Sequence, residues 1–340
     1  MAAFKVIIIG GGPAGLSAAL ALSELSDIDI TVLELRDTIQ TLGGAVNLTP
    51  LALRYLDTLG AGAILRPQGS SVSSIELVGQ RTGRVLGRLW PGVDALRVQR
   101  QAIVESLLKA TKQKNNIQVH YGSKSIQIDQ DGDRVNVTYT KGGSEYSLHA
   151  DLLLGCDGLH SQVRKLIDPE RPKIYAGRCA AYGYGSVTPQ QASSWKRADG
   201  GPLLDDTTLV QNGGDSLLVT FYQPKEQRDS VYLAAVTPIP EPDDKSREGW
   251  SVVGADKEGL QREIRQKYES GGLNCVPEIL ELCDEWFFYP IYMLPDGGTW
   301  SNGRLLLLGD AAHAVSARRC NTKLYRLLNV ANGLIDASAG

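Results

Sequence analysis

A glycine turn after the first apolar segment constrains the fold of this chain more than any other feature. A β-branched strand at Lys5 to Ile9 is followed by the GxGxxG glycines Gly10, Gly12 and Gly15. A segment rich in helix formers, Ala14 to Leu25, and a second strand, Ile28 to Glu34, come next. Such a βαβ unit is typical of a doubly wound parallel sheet. We therefore predict an α/β fold whose first turn meets a ligand.

Each glycine of this turn has a physical reason to be glycine. Gly10 allows the tight turn, Gly12 lets the backbone approach a pyrophosphate, and Gly15 lets the helix pack closely on the strand. The helix N-terminus offers free N–H groups to phosphates, and Glu34 is placed to bind a ribose hydroxyl. The pattern indicates dinucleotide binding but does not separate FAD from NAD. The alternative is a glycine-rich turn that binds nothing.

Two later segments repeat the arrangement of a buried strand that ends in a turn. In the first, Asp151 to Gly155 leads into Asp157 and Gly158, and Ser161 could cap the following helix. In the second, Gly303 to Leu308 leads into Gly309 and Asp310. Ligands bind at the carboxyl edge of such sheets, so both turns are candidate ligand contacts. Either motif alone could be an ordinary strand–turn–helix junction.

Composition excludes several classes of function. The net charge of -3 and the pI near 5.9 provide no electrostatic basis for binding nucleic acid or a membrane surface. No stretch of about 20 uninterrupted apolar residues exists, so we expect no membrane span. The five cysteines include no CxxC pair, which argues against a disulfide framework or a metal site. The N-terminus lacks the features of a signal peptide, and we expect a cytoplasmic protein.

The rest of the chain predicts a second, β-rich part. Arg100 to Lys112 and Gly254 to Tyr268 have helical patterns, whereas the chain from about Ile174 to Pro240 favours strands. The segment EPDDKSREGW (241–250) is predicted to be a polar, exposed loop. The length of 340 residues allows about two domains.

Together, GxGxxG near the start, Asp157-Gly158 near the middle and Gly309-Asp310-Ala311-Ala312-His313-Ala314 near the end resemble the three fingerprints of class A FAD-dependent monooxygenases. The likeness is nearest to the salicylate-hydroxylase-like members. Two connecting segments are also similar, GGAVNLTPLALRYLDTLG and ALRVQRQAIVESLL. The resemblance runs from about Phe4 to Ala314 and is weaker in the middle.

The resemblance implies a Rossmann-like FAD-binding domain with a single GxGxxG unit and an inserted β-rich substrate domain. The implied boundaries are 1–170 for the first part of the FAD-binding domain, with a substrate-domain excursion near 66–97, then 171–288 for the substrate domain, 289–317 for the return to the FAD-binding domain, and 318–340 for an atypical tail. The implied activity is hydroxylation of a small aromatic compound with NAD(P)H and dioxygen. NAD(P)H would bind transiently, because the chain has no second GxGxxG unit.

The resemblance also implies site residues. The implied cofactor contacts are Gly10, Gly12, Ala14, Gly15, Glu34, Arg36, Gly44, Ala45, Arg100, Asp157, Gly158, Gly309, Asp310 and Ala311. Among them, Glu34 would bind the adenosine ribose, Arg100 the pyrophosphate and Asp310 the ribityl chain. The candidate substrate contacts in the β-rich part are Tyr182, Tyr184, Phe221, Tyr222 and Tyr232. The family often has an arginine near the position of Tyr182, so the substrate type stays open.

No side chain is identified as catalytic. His313 is interpreted as structural and His160 as a surface residue, and no Ser/His/Asp ordering supports hydrolysis.

The likeness ends after Ala314. Family members usually continue with a GQG-like turn and an acidic helix, whereas this chain continues VSARRCNTKLYRLLNVANGLIDASAG. We expect a truncated or altered C-terminus, with weak or no hydroxylase activity in this form. Two alternatives stay open: an FAD-dependent reductase or epoxidase that shares the core, and an inactive FAD-binding fragment.

Overall fold

The computed structural model of the protein describes residues 3–38, 44–245 and 247–314. The predicted tail at 318–340 and Cys320 lie outside these ranges. The strands are β1 (Phe4–Ile9), β2 (Ile28–Leu33), β3 (Ala45–Leu48), β4 (Ser70–Val72), β5 (Ile75–Gly79), β6 (Val85–Leu89), β7 (Ala95–Gln99), β8 (Ile117–His120), β9 (Lys124–Asp131), β10 (Arg134–Lys141), β11 (Ser144–Ala150), β12 (Leu152–Gly155), β13 (Ile174–Ser186), β14 (Thr207–Asn212), β15 (Asp215–Phe221), β16 (Ser230–Thr237), β17 (Phe287–Met293), β18 (Ser301–Asn302) and β19 (Leu305–Leu307).

The helices connect and cover these strands. They are α1 (Pro13–Leu22), α2 (Pro50–Thr58), α3 (Gly62–Leu65), α4 (Arg100–Thr111), α5 (Gln162–Ile167), α6 (Pro189–Ser194), α7 (Arg247–Ala255), α8 (Lys257–Tyr268), α9 (Val276–Glu281) and α10 (Asp310–His313), with short 3-10 turns at Arg66–Gln68 and Lys225–Gln227. No helix in the described part of the chain is long and apolar enough to cross a membrane.

A six-stranded sheet forms the first layer, in the order β18-β19-β12-β1-β2-β8. All of its neighbouring strands are parallel except β18 and β19, as the βαβ pattern predicts. Strand β1 is central and alternates its buried side chains between two cores. Val6 and Ile8 pack with α1, whereas Ile7 and Ile9 pack under the antiparallel sheet β11-β10-β9.

A seven-stranded sheet forms the β-rich part, in the order β17-β13-β16-β15-β14-β5-β6. One of its faces packs on α8 and α9 through a large apolar core that includes Leu217, Leu233, Leu260 and Ile279. Its other face carries tyrosines and threonines and meets the small sheet β3-β7-β4. The small sheet β3-β7-β4 and the seven-stranded sheet therefore pack face to face.

Strands β5 and β6 belong to the seven-stranded sheet, in the region where a substrate-domain excursion is predicted. Strand β17 also belongs to it and extends to Met293, beyond the predicted boundary at residue 288. The domain boundaries themselves stay a prediction.

Two local predictions in the β-rich part need correction. The helix predicted over Gly254 to Tyr268 is two helices, because Asp256 interrupts it and caps α8 by accepting a hydrogen bond from Gly259 N at 2.8 Å. The segment predicted as an exposed loop ends in a buried residue, since Trp250 is only 6% exposed and donates to the Tyr292 hydroxyl at 2.8 Å. A local polar composition did not reveal this tertiary contact.

The central strand predicts a sharp difference between two apolar truncations. Ile8 is fully buried, so Ile8→Ala should lower the free energy of unfolding by about 2–5 kcal/mol. Leu25 is 58% exposed, so Leu25→Ala should change the free energy of unfolding by less than about 0.5 kcal/mol. Urea unfolding of the cofactor-free protein, followed by tryptophan fluorescence, measures both. Equal shifts of the two midpoints would contradict this assignment of the core.

Candidate cofactor groove and aromatic face

Three turns meet at one edge of the six-stranded sheet. Strands β1, β12 and β19 are adjacent and parallel, with Ile9 beside Gly155 and Gly155 beside Leu307. Their carboxyl ends therefore coincide, and the residues that follow them come together at the edge where such folds bind ligands. Those residues begin the three motifs that the sequence places far apart.

A single groove with a volume of about 1540 Å³ runs along this edge. It is lined by most of the predicted cofactor contacts, namely Gly10, Gly12, Ala14, Glu34, Arg36, Arg100, Asp157, Gly158, Gly309 and Asp310. Gly15, Gly44, Ala45 and Ala311 do not line it. The structure thus brings all three motifs to one elongated space.

Two glycines of the turn have no room for a side chain, whereas the third borders an open space that we call the cradle. A Cβ on Gly10 would lie 2.4 Å from the Cys156 carbonyl oxygen, and Gly10 has a φ of +107°. A Cβ on Gly15 would lie 1.9 Å from the Gly10 carbonyl oxygen. Gly12 is the N-cap of α1, and a Cβ on it would meet nothing within 4 Å. This free space at a helix N-terminus can accept a phosphate group.

Glu34 is fixed at the end of β2 by two backbone amides. Its carboxylate oxygens accept hydrogen bonds from Gly11 N at 2.7 Å and from Arg36 N at 2.9 Å. A carboxylate has about four acceptor positions, so each oxygen can also accept a hydroxyl hydrogen. The arrangement suits a diol that lies beside the glycine turn.

Asp157 has one satisfied and one free carboxylate oxygen. Its Oδ2 accepts from Gln162 N at 2.7 Å and from Val163 N at 3.3 Å, at the start of α5. Its Oδ1 is buried without a hydrogen-bond partner among the described residues. A buried polar atom without a partner is costly, so this oxygen is suited to a donor on a ligand.

Arg100 begins α4 and points its charge toward the groove end that carries Asp310. Its Nε is also buried without a hydrogen-bond partner in the described ranges. Burial raises the pKa of both Asp310 and Tyr289, and the positive charge of Arg100 opposes this rise in each. Arg100 therefore lies within electrostatic range of both Asp310 in the groove and Tyr289 on the seven-stranded sheet.

Two buried arginines, which the sequence analysis did not select, hold the Gly309-Asp310 turn. Arg164 donates to the carbonyl oxygens of Ala311 at 3.0 Å and Leu159 at 2.6 Å. Arg171 donates to the carbonyl oxygen of Ala312 at 2.9 Å. These bonds satisfy carbonyls of the short helix α10 that have no partner within the helix. Arg164 lies in α5, the helix that Ser161 of the second motif caps, whereas no local pattern marked Arg171.

His313 lies beside this turn rather than in a catalytic arrangement. Its ring contacts the Trp300 ring, with 5.4 Å between centroids, and its amide donates to the Gly309 carbonyl.

The predicted substrate tyrosines share one face of the seven-stranded sheet. Tyr182 and Tyr232 are buried together with Ala45, and Tyr184 and Tyr222 pack against them. Phe287 stacks on Tyr182 with 5.3 Å between ring centroids. We call these five rings the aromatic face. The structure places Gly44 here too, because a Cβ on Gly44 would lie 2.1 Å from the Tyr232 hydroxyl oxygen.

Phe221 does not join this face. It follows Thr220 on β15 and therefore points to the opposite side, where it packs in the core under α8 and α9. This placement does not support Phe221 as a substrate contact. An apolar aromatic residue in a strand does not reveal from the sequence which face of the sheet the helices cover.

Comparison with known proteins agrees with this geometry. A family model described as "FAD binding domain" matches residues 3–192. The chain is 26% identical to phenazine 1,6-dicarboxylic acid hydroxylase PhzS of Lysobacter antibioticus, over 98% of this chain and 83% of the relative. It is 28% identical to a salicylate hydroxylase of Pseudomonas putida, over 92% of this chain and 72% of that one.

Solved structures agree on the fold. The structure of Klebsiella pneumoniae HpxO with FAD and uric acid superposes with a TM-score of 0.72 at 22% identity, covering 92% of this chain and 74% of that chain. The predicted FAD monooxygenase fold, a Rossmann-like part with a β-rich part, is confirmed.

The glycine turn predicts that two similar substitutions have different effects. Gly12→Ala should leave the free energy of unfolding within about 0.5 kcal/mol of the parent, because its Cβ meets open space. It should nevertheless weaken FAD binding, because the methyl group occupies the cradle. Gly15→Ala should lower both the free energy of unfolding and the affinity for FAD, because its Cβ would overlap a carbonyl oxygen. Thermal unfolding without FAD and titration with FAD measure the two effects. A strongly destabilised Gly12→Ala protein would contradict the open cradle.

We expect the buried carboxylate of Asp310 to lower the stability of the protein without FAD but to strengthen FAD binding. Because burial raises its pKa, the folded protein without FAD favours the protonated carboxyl, and stability is lost as pH rises through the raised pKa. Asp310→Asn should therefore raise the melting temperature at about pH 7 but not at about pH 3, where aspartate is protonated in both states. The same variant should bind FAD more weakly. An unchanged melting temperature at the higher pH would rule out this burial cost.

Proposed function

The chain belongs to the FAD binding domain family, within the FAD-dependent monooxygenases, and we propose on this premise that it hydroxylates a small phenolic compound with NAD(P)H and dioxygen. The observation that carries the proposal is the groove whose buried Asp157 Oδ1 and Arg100 Nε have no hydrogen-bond partner among the described residues. Both atoms lie where an extended FAD would supply the missing donor and acceptor.

The residues along the groove fit successive parts of FAD. Glu34, already oriented by two amides, would accept hydroxyl hydrogens of the adenosine ribose. The Gly12 cradle and the start of α1 would receive the pyrophosphate, with Arg100 adding positive charge. Asp310 would accept from the ribityl chain, and Asp157 Oδ1 from a further hydroxyl group or N–H group. When bound, reduced flavin supplies the activation of dioxygen.

The protein's own contribution to the reaction would come from the aromatic face. A phenolic ring would be positioned against Tyr182, Tyr184 and Tyr232, where the apolar surroundings exclude water from the reacting centre. Arg100 lines the groove, and its backbone N–H donates at 3.1 Å to the carbonyl of Gly44, which lies against the Tyr232 ring of this face. The ring would therefore lie next to the groove end that carries Asp310. Two of the relatives are named as hydroxylases of salicylate and of a phenazine acid, and both names support an aromatic substrate for this chain.

Three further points complete the proposal. NAD(P)H would act as a transient co-substrate and dioxygen as the second substrate. No nucleic-acid partner is proposed, and we assign the protein to the cytoplasm.

The purified, FAD-loaded chain should consume NADH or NADPH faster when a simple phenol or hydroxybenzoate is added, with matching oxygen uptake and a hydroxylated product. Arg100→Gln should weaken FAD binding about tenfold or more, as loss of a charge-assisted hydrogen bond does. Arg66→Gln is the matched control, because Arg66 is an exposed arginine paired with Asp57.

The other outcomes identify the alternatives. Substrate-dependent NAD(P)H oxidation without oxygen uptake would indicate a reductase. A chain that binds FAD but hydroxylates none of the phenols would indicate an inactive fragment, and a chain that binds no FAD would contradict the groove assignment.

A further inference from the structure

The short helix α10 carries Asp310 but cannot hold its own position. It has four residues, Asp310–His313, and an isolated helix of this length is not stable in water. Its carbonyl groups also lack acceptance partners within the helix. The place of the Asp310 carboxylate in the groove therefore depends on the groups outside the helix that donate to those carbonyls.

Arg171 is one of these donors. Its Nη1 donates to the Ala312 carbonyl oxygen at 2.9 Å. Its Nε, at 3.2 Å, and its Nη2 both donate to the Pro295 carbonyl oxygen. The side chain is buried, and the rigid planar fork of a guanidinium holds the two carbonyl oxygens in a fixed relation to each other. Arg171 thus joins α10 to the segment that follows β17.

The residues that Arg171 joins lie where the chain crosses between the two large sheets. Arg171 comes just before β13, and Pro295 comes just after β17. These strands are neighbours in the seven-stranded sheet, and Ile174 at the start of β13 pairs with Met293 at the end of β17. One guanidinium therefore connects both crossing segments with α10, and the position of α10 is set relative to the seven-stranded sheet.

The packing around Arg171 leaves its side chain little freedom. Gly298 has a φ of +100°, and a Cβ on it would lie 2.4 Å from Arg171 Nη1. The crossing segments are also joined directly, because Thr299 N donates to Asp168 Oδ2 at 2.9 Å. The guanidinium is therefore held in place against α10.

Arg171 differs in its placement from Arg164, the other arginine at α10. Arg164 donates to the carbonyls of Ala311 and Leu159, and it lies in the helix whose first amides bind Asp157. Its removal would disturb two turns of the groove at once. Arg171 is not among the residues that line the groove, so its effect on a cofactor passes through α10.

We propose that Arg171 is a positioning residue for the cofactor, which holds α10 so that the Asp310 carboxylate meets the ribityl chain of FAD. The proposal rests on the proposed function, because it assumes that Asp310 contacts FAD. Arg171 itself touches neither FAD nor the substrate. Without Arg171 the carboxylate is still present but is no longer fixed, so FAD binding loses the contribution of Asp310.

A double-mutant cycle on FAD affinity tests this role. FAD is titrated into the cofactor-free protein, and the change in flavin fluorescence measures binding. Arg171→Met should weaken FAD binding about tenfold in the parent protein but less than about twofold in Asp310→Ala, where the contact that it positions is gone. In Glu34→Gln, which is changed at the adenosine end of the groove, Arg171→Met should again weaken binding about tenfold.

Three single variants separate positioning from a general loss of structure. Arg171→Lys keeps a donor and should recover part of the affinity. Gly298→Ala keeps the arginine but displaces its Nη1, so it should weaken FAD binding even if Arg171→Met does not fold. Arg178→Met is the matched control, because Arg178 donates to the Gly214 carbonyl at 2.8 Å at an exposed site on the seven-stranded sheet. It should leave the affinity unchanged.

The positioning role is overturned by an unchanged FAD affinity in Arg171→Met or in Gly298→Ala. It is also overturned if Arg171→Met causes an equal loss in the parent and in Asp310→Ala, since that result describes a general loosening of the fold. Oxygen uptake separates this role from the proposed function. A chain that follows the cycle but takes up no oxygen with NAD(P)H and a phenol contradicts the hydroxylase alone.

Discussion

The parallel register of β1, β12 and β19 is the constraint on which the rest of the structure depends. Because Ile9, Gly155 and Leu307 lie side by side, the turns that follow them open at one edge although they are separated by well over a hundred residues in sequence. Gly10 makes this convergence tight, since a Cβ at this position would lie 2.4 Å from the Cys156 carbonyl oxygen. A shift of one residue in either pairing would move one motif out of the groove and reverse its side chains.

The groove also shows how a binding site differs from a core. Beside the groove, Arg164 and Arg171 satisfy carbonyls of α10. Along the groove Asp157 Oδ1 and Arg100 Nε have no partner among the described residues, and Asp310 is desolvated. The fold without FAD therefore bears costs that FAD can relieve, and such costs are expected where binding rather than stability is selected.

Much of the fold and of the cofactor groove could be predicted from the sequence because the evidence for them is local. The strand, glycine turn and helix at the N-terminus have a fixed spacing, and the two later turns repeat the same chemistry. What failed depended on tertiary contact. Phe221 and Tyr222 differ by one position along the strand, which decides between the helix-covered core and the aromatic face. Asp256 caps a helix within a stretch that looks continuously helical, and Trp250 finds its partner in a strand far along the chain.

Arg97 illustrates why a buried charge could not be predicted from the sequence. In the sequence it is one basic residue near Arg100, in the middle of a short strand, and nothing distinguishes it from a solvent-exposed charge. Only the packing of β7 against the seven-stranded sheet buries it, and only the strand register places Thr207 and Thr220 as its acceptors. The three buried arginines then differ by what they contact. Arg164 and Arg171 lie against carbonyls that need donors, whereas the amide and hydroxyl acceptors of Arg97 fix its orientation without neutralising its charge.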